Sequence, residues 1–131
     1  MSLFLRKRVD SFGNAIRGVS HLVRTEVHAQ IHLVCSAVVV ACAAAFSISA
    51  VEWCLVILAI GLVWAAEAVN TAIEKVVDLA SPGKDSIAGQ AKDLAAGAVL
   101  LAAAAAVAVG LFVFVPRIVL FLQTGEVLPV H

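Results

Sequence analysis

Several familiar routes to chemistry are missing from this chain. There is no GxxxxGK[ST] phosphate loop: around Gly83-Lys84-Asp85 both the upstream glycine and the Ser/Thr are absent. There is no nucleophile elbow and no HExxH helix. An excess of either charge is also absent, since nine Lys and Arg residues balance nine Asp and Glu residues. A neutral chain of this kind gives no reason to expect a nucleic-acid partner. Cysteine is scarce, with three residues in the chain. Cys35 and Cys42 lie seven apart on one helix face and Cys54 follows an intervening turn, so they read as small apolar helix residues rather than disulfides or metal ligands. No signal peptide is expected either. The apolar run Met1–Leu5 is too short, and Arg6-Lys7-Arg8 follows it instead of preceding it.

Apolar residues are what the chain has in quantity. They make up 63% of it, with a mean hydropathy of +1.06. Soluble domains hold roughly 45–50%. Residues 31–50 carry no charge over about 20 positions, enough to cross a hydrocarbon core about 30 Å thick. Residues 53–66 are uncharged but too few to cross, so that helix must continue through Glu67 to about Ala80, where Ser81-Pro82-Gly83 stops it. A third uncharged run, from Leu94 to Val115, ends at Pro116. Ahead of the spans, Phe4, Leu5, Val9, Phe12, Ile16, Val19, Leu22 and Val23 recur at helical intervals, while Arg6, Lys7, Arg17 and Arg24 mostly fall elsewhere. That pattern fits a helix lying on a membrane surface. An ordinary amphipathic helix packed on protein is the bland alternative. The expected fold is therefore an all-α membrane protein of one domain, residues 1–131. Its parts are a surface helix at about 4–29, transmembrane helices at about 31–50, 53–80 and 92–115, and a short tail at 116–131.

Orientation follows from the basic residues. Arg6, Lys7, Arg8, Arg17 and Arg24 precede the first span, and Lys75, Lys84 and Lys92 lie between the second and third. Arg117 alone falls on the other side. The positive-inside rule then puts the N-terminus and the 75–93 loop in the cytoplasm, and the turn near Ser47–Val51 outside.

Glu67-Ala-Val-Asn-Thr-Ala-Ile-Glu-Lys-Val-Val-Asp78 closes the second span. At 100° per residue Glu67, Asn70, Glu74 and Asp78 fall at about 0°, 300°, 340° and 20°, and Thr71 at about 40°. Five polar groups thus share one stripe. Ionisable groups at membrane depth are costly and usually functional. Three carboxylates on one face repel each other unless a cation sits among them, and oxygen ligands suit a hard ion such as Mg²⁺. The third span opens with Lys92 and Asp93, where Gly89, Asp93 and Gly97 recur every four residues, and small residues let helices approach closely in lipid. A close-packed bundle with Lys92 and Asp93 at the water boundary is the alternative for that segment. Glu26 stands near His28 and His32, a pair four apart that suits a metal but more often decorates an interface. Glu26 alone reads as a solvated charge, unless the fold links it to Glu74.

The Glu67–Asp78 segment resembles the signature of the small prokaryotic integral-membrane lipid kinases, the bacterial diacylglycerol kinase and undecaprenol kinase family. Ala91-Lys-Asp-Leu-Ala-Ala-Gly-Ala-Val-Leu100 resembles its second block. Glu26 followed by Ile31-His32, and Ser11-Phe12 to Gly18 ahead of it, fit its amphipathic region. The resemblance covers about residues 6–116. It implies a homotrimer with three transmembrane helices and a surface helix per subunit, in the bacterial cytoplasmic (inner) membrane, with active sites shared between neighbouring subunits. It implies phosphoryl transfer from Mg-ATP to the hydroxyl of a membrane lipid, where protein supplies positioning and charge neutralisation. Carried over by position, Glu67 would be the general base and Asn70 would position phosphate or the attacking hydroxyl. Glu26 and Glu74 would hold Mg²⁺ against the ATP phosphates. Asp78, Lys92 and Asp93 would bind nucleotide, and Lys7 and Arg17 of the surface helix would also contact ATP. The family pattern has Asn and Arg two and four residues after its first glutamate; here His28 and Gln30 stand there, which removes a cation near the site. The Ser81-Pro82 turn and the 91–97 block look more like the undecaprenol branch than the diacylglycerol branch.

Two other functions fit parts of the same sequence. A proton or cation conductor would use membrane glutamates, but these polar groups cluster at one face and no chain of them crosses the bilayer. A non-catalytic membrane scaffold would use the stripe for helix association and would bind neither Mg²⁺ nor nucleotide.

Overall fold

The computed structural model describes residues 3–83 and 85–125; residues 1–2, the side chains of Leu3 and Phe4, Lys84 and the tail beyond Gly125 lie outside the described residues. Four helices follow in order: α1 Leu3–Thr25, α2 Val27–Ala45, α3 Ala50–Ala80 and α4 Ser86–Thr124. The last three are long and apolar enough to cross a membrane. The all-α membrane architecture thus holds, with several boundaries moved.

The surface helix expected to about residue 29 ends at Thr25, and the first spanning helix starts at Val27 rather than Ile31. The break is one residue wide. Glu26 is extended at φ −101°, ψ 119°. Its N–H still donates to the Leu22 carbonyl at 3.0 Å and its carbonyl accepts from the Gln30 N–H at 3.2 Å. Periodicity shows which face of a helix is apolar; with no proline or glycine to mark it, a change of axis leaves no trace in the pattern. On α1, Val9, Phe12 and Ile16 are 61–71% exposed, while Leu22 is buried. A helix that turns an apolar stripe outward suits a lipid surface better than a protein partner.

The α2–α3 turn is locally encoded. Ser49 caps α3 in a reciprocal box: its hydroxyl accepts from the Glu52 N–H, and Glu52 Oε2 accepts from the Ser49 N–H at 2.8 Å. The Ser-x-x-Glu spacing is the usual sequence sign of this cap. It starts α3 at Ala50, three residues before the expected start. Before it, the Phe46 and Ile48 N–H groups donate to the Cys42 and Ala43 carbonyls and close off α2.

α4 departs furthest from expectation. It begins at Ser86, where Asp85 Oδ1 accepts from the N–H groups of Ile87 and Ala88 at 2.8 and 2.9 Å. It does not end at Pro116. The helix runs through the proline to Thr124 and stops at Gly125, whose φ of 72° is left-handed. Proline removes one ladder donor, yet the helix is held beyond it by packing, with Phe121 edge-on to Phe46. The Arg117 side chain adds a further donor here, reaching the Val113 carbonyl at 3.0 Å.

α3 packs chiefly against α4. Ala43, Ile48, Val56 and Val113 form the core at the end of the bundle near the α2–α3 turn, with Phe46 stacked at an angle on Phe114 and edge-on to Phe121. At this same end Arg117 grips Glu52 with its two terminal nitrogens, at 2.6 and 2.7 Å. Midway, Trp64 Nε1 donates to Ser36 Oγ at 3.2 Å, and that hydroxyl donates to the His32 carbonyl. Helix α2 is thereby tied to α3 through a polar contact inside an apolar layer.

Candidate functional site

The polar stripe of α3 runs from covered to open. Glu67 is 3% exposed, and Asn70 and Thr71 are each 8% exposed. One turn on, Glu74 is half-buried, and Asp78 is exposed. Glu67, Asn70 and Thr71 are the buried polar and charged residues among those described, and all three lie on this stripe. On the facing α4, the buried positions Ala95 and Ala102 are alanines, which allow close helix approach.

Their hydrogen bonds are incomplete. Asn70 Nδ2 donates to Glu74 Oε1 at 3.2 Å, but the buried Asn70 Oδ1 has no partner among the described residues. Glu67 makes no hydrogen bond to a described residue. Buried polar groups in folded proteins are nearly always paired, so a buried acceptor without a partner needs a reason. The two sit one turn apart on one face, just where a ligand donor or cation would complete them.

Two ion pairs frame the stripe. Lys92 of α4 pairs with Asp78 of α3, which joins two of the expected nucleotide-binding residues. Beside them a cleft of about 420 Å³ opens at the α3–α4 turn, lined in part by Asp78, Pro82, Asp85, Gly89 and Lys92. At the α1–α2 break, Glu26 Oε1 accepts from Lys75 Nζ at 2.8 Å and from Thr25 Oγ1 at 3.1 Å. The lysine hydrogen bond, then that of Thr25, holds the Glu26 carboxyl below its ordinary pKa. Lys75 follows Glu74 in sequence, so this contact draws the junction to the turn of α3 that carries Glu74.

Other expected residues are not gathered in. Arg17 bonds the side chain of Asn14 on its own helix. Lys7 is exposed on α1, and Asp93 is exposed along a groove on α4 that includes Gln90 and Gly97. No hydrogen bond or ion pair links these three side chains to the stripe among the described residues. His28 and His32 lie on the first turns of α2 and join no metal-binding group: among the described residues no three His, Cys, Asp or Glu side chains cluster to hold an ion.

The donor set nevertheless suits Mg²⁺. This ion takes one or two carboxylates and completes its shell with water and substrate phosphates. Glu74 with the unpartnered Asn70 oxygen, and Glu26 across the junction, are oxygen donors of the right hardness.

Two long-range pairs went unseen in the sequence. Glu52 with Arg117 joins residues 65 apart, and Lys75 with Glu26 joins residues 49 apart. No local pattern predicts either pair. Asp85 was legible, since Asp followed by Ser-Ile-Ala after a Pro-Gly turn is a good N-cap signal.

The sequence profile of the prokaryotic diacylglycerol kinase family matches residues 13–114. The chain is 37% identical over 114 residues to the undecaprenol kinase of Bacillus subtilis, covering 87% of this chain and 93% of that one. It is 42% identical over 101 residues to a diacylglycerol kinase of Synechocystis sp., covering 76% of this chain and 58% of that longer protein. The matched region contains the α1–α2 break, the whole stripe and most of α4, and on that breadth of agreement the chain belongs to the prokaryotic diacylglycerol kinase family of membrane lipid kinases.

Proposed function

We propose that this protein transfers the γ-phosphoryl group of Mg-ATP to the hydroxyl of a membrane lipid alcohol, with Glu67 as general base. The observation that carries the reading is a pair of acceptors on α3 without a partner among the described residues: Glu67, 3% exposed, and the Oδ1 of Asn70. Glu67 would accept the proton of the lipid hydroxyl. Asn70 would orient that hydroxyl or a phosphate oxygen. Glu74 and Glu26 would hold Mg²⁺, which when bound offsets the charge of the phosphates. Lys92, Asp78 and Asp93, with Lys7 and Arg17 from α1, would bind the nucleotide. Within one chain no hydrogen bond or ion pair joins Lys7, Arg17 or Asp93 to the stripe among the described residues, and in a homotrimer with shared sites these groups would serve a neighbouring subunit. The basic-residue bias favours a cytoplasmic position for these groups, in what would be the bacterial inner membrane.

Undecaprenol is the favoured lipid, because the relative of that name aligns over nearly all of both chains. Diacylglycerol is the second reading, supported by the shorter but more identical match.

The test is transfer of labelled γ-phosphate in defined lipid micelles, with the two lipids offered in parallel. General bases contribute about 10²–10⁴-fold, so Glu67→Gln should lower turnover at least about 100-fold while helix content stays unchanged. Turnover in Glu67→Gln close to the parent would remove Glu67 as the base. Transfer to diacylglycerol and not undecaprenol would reverse the order of the two lipids.

A further inference from the structure

Lys75 takes no part in the transfer chemistry described above, yet its ammonium occupies a proposed metal ligand. Its side chain stands about 100° round α3 from that of Glu74, its neighbour in sequence. From there it reaches back across the junction to Glu26 Oε1 at 2.8 Å, the same oxygen that accepts from Thr25 Oγ1 at 3.1 Å. The Thr25 hydroxyl has one proton, which also faces the His21 carbonyl at 3.0 Å, so the ammonium is the main occupant of Oε1, while Oε2 accepts from no described residue. A divalent cation at Glu26 must therefore displace the ammonium or lie next to a like charge. Displacement is easy on geometric grounds. The Lys75 side chain is 51% exposed and its four-carbon stem is free to turn.

We infer that Lys75 is a stand-in cation: it holds Glu26 while the site is empty and yields that carboxylate when a divalent ion arrives. The inference rests on the reading of Glu26 as a metal ligand. Two consequences follow from the same contact. With the site empty, the ammonium keeps the one-residue break between α1 and α2 tied to α3, so Glu26 is held in place before the metal binds. Metal binding, in turn, must outcompete an internal ion pair, which raises the concentration of free ion the site needs. The displaced ammonium is left beside the incoming phosphates, a fresh set of acceptors.

The experiment measures Mn²⁺ binding to the full chain in detergent by electron paramagnetic resonance, without nucleotide or lipid, for the parent, Lys75→Met, Lys75→Arg and Glu26→Gln. Methionine keeps the length and helix preference of lysine and removes the charge. An exposed ion pair spans up to about five-fold in an equilibrium constant, so Lys75→Met should bind Mn²⁺ more tightly, by about two- to five-fold. Lys75→Arg should return to the parent value. A lysine serving purely to brace the junction would give the opposite sign, because its loss would loosen Glu26. Circular dichroism checks that each variant keeps its helices, and Lys75→Gln replaces Lys75→Met if the latter does not. Weakened Glu26→Gln binding with Lys75→Met unchanged or weaker would overturn the stand-in role and leave Glu26 as a ligand. Parent-like binding in Glu26→Gln would overturn both.

Discussion

Arg117→Met should destabilise the bundle without touching catalysis. The guanidinium meets the Glu52 carboxylate in a two-pronged pair, 2.6 and 2.7 Å, with the two side chains 12% and 22% exposed. A fully exposed pair contributes roughly 0–1 kcal/mol. Removing one partner of a fully buried pair costs about 3–5 kcal/mol, because the other charge is stranded. This pair lies between those limits. Glu52, moreover, is not stranded completely, since Ser49 N–H and Oγ still donate to Oε2. Losing the arginine also removes the additional side-chain donor to the Val113 carbonyl near Pro116. About 2 kcal/mol is the expected loss. Glu52→Gln keeps an acceptor for the Ser49 cap and should cost about 1 kcal/mol, and the double variant should cost less than the sum by about 1 kcal/mol. The assay is reversible unfolding in mixed micelles with increasing SDS, followed by circular dichroism. Glu52 lies fifteen residues before Glu67, about 22 Å along α3, so phosphoryl transfer per folded molecule should match the parent. A loss below about 0.5 kcal/mol for Arg117→Met, or strictly additive single losses, would refute the argument that this pair clamps α3 to α4.

Asp85→Ala deletes the cap that receives the Ile87 and Ala88 N–H groups; the same titration should show a loss of about 1 kcal/mol, with Asp85→Asn close to the parent. Trp64→Phe removes the indole donor to Ser36, and a membrane hydrogen bond of this kind contributes about 0.6 kcal/mol on average, a small but measurable shift in the same assay. The Glu26 tie should depend on pH in one direction. Its carboxyl pKa is lowered in the folded state, first by Lys75 and then by Thr25, so the contribution is complete above the ordinary carboxylate pKa and disappears as pH falls through the lowered value. Amide exchange of residues 25–29 should accordingly speed up at the acid end relative to mid-helix α3, after correction for intrinsic rates, and Glu26→Gln should abolish that pH dependence.

What could be read from the sequence divides by range. The three spans and the α3 stripe were legible because each is a property of one helix: an uncharged run, or polar residues that share a face. The capping box at Ser49 and the cap at Asp85 were equally local, and missing them misplaced the starts of α3 and α4. The break at Glu26 was hidden because it has neither proline nor glycine and spans a single residue. Pro116 misled for the opposite reason. It signals a stop in isolation, but contacts made by the residues after it, Arg117 with Glu52 and Phe121 with Phe46, hold the helix together beyond it. Lys75–Glu26 and Glu52–Arg117 were illegible altogether, since each depends on how separate helices meet.

The two ends of α3 treat their carboxylates in opposite ways. Glu52 at the far end has every oxygen engaged: Oε1 by Arg117, Oε2 by Arg117 and by the Ser49 N–H and hydroxyl. Nothing is left for a ligand, and the group is explained by the packing it secures. Glu67 is more deeply covered than Glu52, yet it has no hydrogen bond to a described residue, and one turn on Asn70 holds an acceptor without a donor. Burial without compensation costs stability. A chain that kept such groups for helix association alone would do better with alanine or leucine there. The scaffold reading therefore fails to explain the residues that define the stripe, whereas a site that completes its hydrogen bonds only when a hydroxyl, a phosphate or a cation enters explains why they are left open.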